Sequence, residues 1–128
     1  MSHPETISPD EAAALLREGA VLIDIREAKE HANENIPGAH HHALSQIDAK
    51  HPVREGDTVL IYHCRSGART RMNASRLAAA AGDCQVYLLG GGIEQWKRAG
   101  LPTSTAPDGR APAQPRGGLF NRLMALFR

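Results

Sequence analysis

Cys64 opens the stretch Cys64-Arg65-Ser66-Gly67-Ala68-Arg69-Thr70, and no other part of this 128-residue chain sets a potential nucleophile among so many cationic and loop-forming residues. Before it runs the β-branched and apolar segment Thr58-Val59-Leu60-Ile61. After it runs an alanine-rich helix former over residues 71–81, stopped by Gly82. Strand, tight loop and helix in that order put a loop at the carboxyl end of a strand and against a helix N-terminus. Free N–H groups and partial positive charge at a helix start, with Arg65 and Arg69 nearby, favour a thiolate on Cys64. The same N–H groups suit a bound anion. A cysteine that merely fills a small apolar gap has no need of Arg-Ser-Gly-Ala-Arg behind it, so the expectation is a reactive thiol.

The remaining chemically capable residues read more plainly. Asp24 and Arg26 flank the end of the apolar run Val21-Leu22-Ile23-Asp24-Ile25, and an aspartate there is expected as a structural anchor taking N–H donors. Cys84 follows Gly82-Asp83 at the start of a strand; it is expected to be inert, since nothing in the spacing brings it to Cys64. His40-His41-His42 resembles a metal tract, but alternate side chains of a strand point to opposite faces and cannot converge on one ion. His63 is expected to point away from the nucleophile and to pack. Gly90-Gly91-Gly92 lacks the spacing and lysine of a phosphate loop, so it is read as turn geometry. Trp96 is expected to pack its helix on the sheet.

Elements to position these residues follow in order. Thr6-Ile7 is a short edge strand. Ser8-Pro9-Asp10-Glu11 is a capping box with proline at the first helical position, starting a helix over 9–18 that ends at Gly19. The run 21–25 is a strand buried on both faces, and 28–34 is helix-prone until Ile36-Pro37-Gly38 breaks it. A third strand is expected over 39–44, with Ser45 capping a short helix through Lys50. Gln85-Val86-Tyr87-Leu88-Leu89 is a further buried-type strand, and 93–99 is a helix closed by Gly100-Leu101-Pro102. This alternation predicts an α/β domain with a mostly parallel sheet.

Length bounds the chain to one domain, taken as residues 1–103, followed by a Pro/Gly-rich flexible linker over 104–118 and a tail over 119–128. Residues 104–128 carry Arg110, Arg116, Arg122 and Arg128 against Asp108, a charge of +3. The other 103 residues hold 11 basic and 13 acidic side chains, a charge of −2. A mildly acidic body argues against a nucleic-acid partner. The start Met1-Ser2-His3-Pro4-Glu5-Thr6 has neither a basic nor an apolar signal region, and no run of about 18 apolar residues exists. A cytoplasmic setting is expected. In the tail, Leu119, Phe120, Leu123, Met124, Leu126 and Phe127 share one face of a basic amphipathic helix. It suits a peripheral contact with an anionic inner-membrane surface or with a protein, docking on its own domain and self-association being the alternatives.

Four segments in order resemble the rhodanese (sulfurtransferase) domain across nearly all of residues 6–103. They are Leu22-Ile23-Asp24-Ile25-Arg26-Glu27, Ile36-Pro37-Gly38-Ala39, the Cys64–Arg69 loop, and Gly91-Gly92 with Trp96 and Gly100-Leu101-Pro102. The order is similar to single-domain members tethered to bacterial inner membranes, although no spanning segment follows the linker here. The resemblance implies a three-layer α/β/α fold with a mostly parallel five-stranded sheet, and a thiosulfate sulfurtransferase activity. Cys64 would take sulfur from a small anionic donor as a persulfide and pass it to cyanide, a thiol or a protein acceptor, with no metal and no organic cofactor. Arg65, Ser66, Gly67, Ala68, Arg69 and Thr70 would bind the substrate, the two arginines by charge-assisted hydrogen bonds. Related cysteine phosphatases need Cys-x5-Arg, and this loop is Cys-x4-Arg, one residue short for phosphate. The alternatives are a non-catalytic partner-binding or redox-sensing module, and a persulfide carrier in a sulfur relay.

Overall fold

The first helix, α1 (Pro9–Arg17), begins where its caps require. The Ser8 hydroxyl accepts from the Glu11 N–H and the Glu11 carboxylate accepts from the Ser8 N–H. The structure is a computed structural model that describes residues 3–47 and 59–106. Around α1 run β1 (Glu5–Ile7), β2 (Val21–Asp24), α2 (Ala28–Asn33), β3 (His40–His41) and a 3-10 turn (Leu44–Gln46). Then come β4 (Val59–His63), α3 (Ala68–Met72), α4 (Ala74–Ala81), β5 (Gln85–Leu89) and α5 (Gly92–Arg98). The five strands form one sheet in the order β1-β5-β4-β2-β3, every pairing parallel. The five-stranded α/β architecture is thus the one the resemblance implies.

Alternation along β4 divides the core. Leu60, Tyr62 and Cys64 join Ala74, Leu77 and Ala81 of the α4 side, whereas Ile61 joins Ala12 and Ala13 of α1 and Ile93 and Trp96 of α5. Helices therefore cover both faces, which is why the strands read as continuous apolar runs. Each large side chain buried in these layers contributes about 1.5–3 kcal/mol. Trp96 packs in the α5 layer and its indole N–H donates to the Pro102 carbonyl at 2.8 Å. The central strand β4 ends at Cys64, so the cysteine loop emerges at the carboxyl end of the sheet, where open α/β folds place their ligands.

Several boundaries differ from the sequence reading. The expected helix over 71–81 starts earlier, at Ala68, and is two helices broken at Asn73. Asn73 leaves helical geometry (φ −117°, ψ 20°), and both its backbone and side-chain N–H groups turn to the Arg69 carbonyl. Asparagine competes for backbone groups in this way, and alanine content does not reveal it. The third strand shrinks to His40–His41, and Leu44–Gln46 is a 3-10 turn; the rest of the helix expected through Lys50 lies outside the described residues. Ser104 is buried and exchanges two backbone hydrogen bonds with Asn35 (2.7 and 2.8 Å), while Asn35 Nδ2 donates to the Ala106 carbonyl. Residues 104–106 thus belong with the domain, not the linker. The remaining linker and the tail lie outside the described residues.

Candidate active site

After Cys64 the chain bends through Arg65 and Ser66 and turns at Gly67, whose φ of +94° suits a residue without Cβ. The turn brings the Gly67 N–H back onto the Cys64 sulfur, with N···Sγ 3.1 Å. Thr70, fully buried, donates its hydroxyl to the Gly67 carbonyl at 3.0 Å and stands 4.0 Å from Sγ. It braces the turn and presents no exposed surface. Because α3 is five residues long, the donors facing the thiol are local N–H groups of the loop and first turn, not the dipole of an eleven-residue helix.

The loop is held from outside by α5. The N–H groups of Ile93 and Glu94 donate to the carbonyls of Cys64 and Arg65 at 3.0 and 3.1 Å. These are orphan donors of a helix start, satisfied by the loop. So close an approach requires Gly92, where a Cβ would collide with the backbone carbonyls of Cys64 and Arg65. Gly90-Gly91-Gly92 is therefore more than a turn. Its last glycine lets a helix seat on the Cys64 loop, a function that spacing alone did not reveal.

Both loop cations already have carboxylate partners. Arg69 lies in the first turn of α3 and is half-buried; its fork grips both oxygens of Glu30 on α2 at 2.8 and 2.9 Å. Arg65 is exposed and paired with Glu94 at 3.1 Å. Neither guanidinium is directed at the sulfur. Hydrogen bonds from Arg69 hold the Glu30 carboxyl down to about 2, against a smaller opposing effect of burial. A residue the sequence reading passed over, Arg71, is exposed, and its Nη1 stands 3.0 Å from where a Cβ on Gly67 would be. The i, i+4 spacing from Gly67 was the available signal, since helical side chains lean back one turn toward the N-terminus. Cys64 itself has no exposed surface and closes the core layer of Tyr62 and Ala74, while the next two residues, Arg65 and Ser66, are exposed.

Behind the loop stands a buried polar cluster. Asp24 accepts from the Arg26 N–H and from both Nε and Nη2 of its fork, and from His31 Nδ1 at 2.8 Å. Arg26 also donates to the Glu34 carbonyl at 2.6 Å, tying the end of β2 to the end of α2. Burial works against an ionised Asp24, but the charge on His63 where that ring is protonated, the Arg26 fork and the His31 hydrogen bond hold its carboxyl well below the ordinary range. Burial pushes His63 down and favours the neutral ring, so Arg26 is the cation that acts on Asp24 at neutral pH. His63 sits opposite Asp24 in the strand register, fully buried, with Nδ1 donating to the Cys64 carbonyl at 3.2 Å and Nε2 3.8 Å from Asp24. It does point away from the thiol, yet it holds the carbonyl of the same residue.

The other candidates lie apart. Cys84 precedes β5, whose first residue pairs with Val59 at the amino end of β4, whereas Cys64 follows the carboxyl end. At about 3.3 Å per residue the two cysteines are more than about 15 Å apart, beyond the roughly 7 Å limit for a disulfide. A cavity of about 600 Å³ beside Cys84, Asp83 and Tyr87 is at that far end too. His41 and His42 turn to different carbonyls, those of Arg26 and Gln46, and no metal-binding cluster occurs among the described residues.

A family model described as rhodanese-like domain matches residues 8–99. A thiosulfate sulfurtransferase GlpE of Pseudomonas savastanoi pv. phaseolicola is 32% identical over 108 residues, covering 82% of this chain and 97% of that protein. The protein of the same name from Ectopseudomonas mendocina is 37% identical over 109 residues, covering 83% and 95%. Among solved structures, a thiosulfate sulfurtransferase from Pseudomonas aeruginosa superposes with a TM-score of 0.72 at 25% identity; the match covers 96% of this chain and 26% of that one.

Two outcomes follow from the geometry. Gly92→Ala places a methyl against two carbonyls at a φ of +58°, a strained backbone for any other residue. Thermal melts should show a loss of about 2 kcal/mol or more, and Gly100→Ala, with φ +81° but open space around it, a smaller one. Glu30, with its folded value depressed, contributes stability that is complete above its unfolded value and disappears as pH falls from about 4.5 toward about 2. In urea titrations the advantage of wild type over Glu30→Gln should therefore shrink through that window.

Proposed function

The chain belongs to the rhodanese-like family, and from that premise we propose that it is a sulfurtransferase working through a persulfide on Cys64. The observation that carries the reading is the Gly67 N–H aimed at Sγ at 3.1 Å, in a turn held by α5. A donor so placed favours sulfur in its anionic form, first as thiolate and then as persulfide.

The reaction divides into two displacements. The Cys64 thiolate attacks the outer sulfur of thiosulfate; a new S–S bond forms at Sγ, the S–S bond of the donor breaks, and its electron pair leaves with sulfite. An acceptor, cyanide or a thiolate, then attacks the terminal sulfur of the persulfide. Thiocyanate or a new persulfide leaves, and Cys64 returns as thiolate. Because Cys64 is buried, side chains of the loop must move to admit the donor, while its backbone stays tied to α5. The Arg65–Glu94 pair presents little resistance to such movement: the arginine side chain is 69% exposed, and exposed pairs contribute only about 0–1 kcal/mol. The turned-away Arg69 speaks against phosphate chemistry, for which an arginine must clasp the tetrahedral group.

Intact mass after exposure to thiosulfate tests the assignment. Wild type and Cys84→Ala should gain the mass of one sulfur atom, removable by cyanide, and Cys64→Ala should gain none. An adduct retained by Cys64→Ala would place the nucleophile elsewhere.

A further inference from the structure

We propose that Arg71, beyond the Cys64–Arg69 loop, is the side chain that holds the charged end of the sulfur donor and so selects small anionic donors. The proposal rests on the sulfurtransferase reading and begins from a count of the cations near Cys64. Arg26 is buried and committed to Asp24 and to the Glu34 carbonyl. Arg69 is clamped on both oxygens of Glu30, and Arg65 is paired with Glu94. For Arg69 to take a substrate anion it must first surrender two charge-assisted hydrogen bonds. Arg71 is different: among the described residues no carboxylate is assigned to it.

Its position suits the role. The long side chain leans back along α3 and lays its guanidinium over Gly67, with Nη1 3.0 Å from the place a Cβ would occupy. The same Gly67 presents its N–H to Sγ at 3.1 Å. With Cβ about 2.5 Å from its own N by standard geometry, Nη1 is no more than about 9 Å from the sulfur. In a thiosulfate attacked at its outer sulfur, two S–S links of about 2 Å each separate Sγ from the sulfonate centre. The oxygens then lie roughly 5 Å from Sγ, and a charge-assisted contact of about 2.8 Å bridges to a guanidinium at roughly 8 Å. A separation within that limit allows the contact. Glu30 and Glu94 neutralise the other two loop arginines, so Arg71 supplies the uncompensated charge of the site.

Steady-state and single-turnover kinetics on the full chain test this, with thiosulfate as donor and cyanide as acceptor. Arg71→Ala should raise KM for thiosulfate by about ten- to a hundredfold, the size of one charge-assisted contact, and slow persulfide formation at low thiosulfate. Discharge of the preformed persulfide by cyanide should be unchanged, and Arg71→Lys should recover part of the loss. Alkylation of Cys64 by uncharged iodoacetamide should proceed at the wild-type rate, showing the loop intact. A KM within twofold of wild type in Arg71→Ala overturns the assignment. So does an equal loss in both half-reactions with altered alkylation, which would make Arg71 a brace of the loop. A wild type that forms no persulfide from thiosulfate overturns the sulfurtransferase reading itself, a separate result.

Discussion

The seating of α5 on the carbonyls of Cys64 and Arg65 is the contact on which the rest of the site depends. It works only because Gly92 has no side chain: a Cβ would occupy the space of those two carbonyls. The unsatisfied N–H groups of one helix start thus become fixed partners for the loop that leads to another. With its carbonyls committed on one side, the loop must turn its own N–H groups inward, and the one at Gly67 meets Sγ. Thr70 closes the turn from below. A six-residue loop with its outward groups tied down has little room to reshape around a bulkier ligand, which suits a single sulfur atom better than a tetrahedral phosphate.

A second fixed point lies under the first. The Asp24–Arg26–His31 cluster joins the ends of β2 and α2 in a buried setting, and parallel pairing of β2 with β4 places His63 directly opposite Asp24. His63 then grips the Cys64 carbonyl, which Ile93 also holds. Buried ionic clusters are costly to desolvate and become destabilising when one member is lost. Their usefulness here is positional: the Cys64 carbonyl is defined from both the strand and the helix side.

Much of this was legible in the amino-acid order. The capping box at Ser8 and Glu11, the buried runs of the central strands and the arginine-bearing cysteine loop depend on local chemistry, and local chemistry can be read along a chain. What escaped depends on residues far apart. Arg69 looks free until α2 brings Glu30 to it from 39 positions away. Gly92 looks like a turn residue until α5 is seated, and Ser104 looks like linker until Asn35 takes both its backbone groups. The break at Asn73 is local, yet the alanines on either side outweighed one asparagine in the reading. Arg71 carries no signal of its own within a helix-forming run, because its significance lies in what it leans over.

In the proposed reaction Cys64 is a carrier loaded and unloaded in separate displacements, with sulfite gone before the acceptor arrives. Initial rates measured across a grid of thiosulfate and cyanide concentrations test that claim most directly. Parallel lines in the double-reciprocal plot are the predicted result, as two half-reactions through a free persulfide enzyme require. Lines that intersect would mean that donor and acceptor must be bound together, and would contradict the persulfide as an independent intermediate.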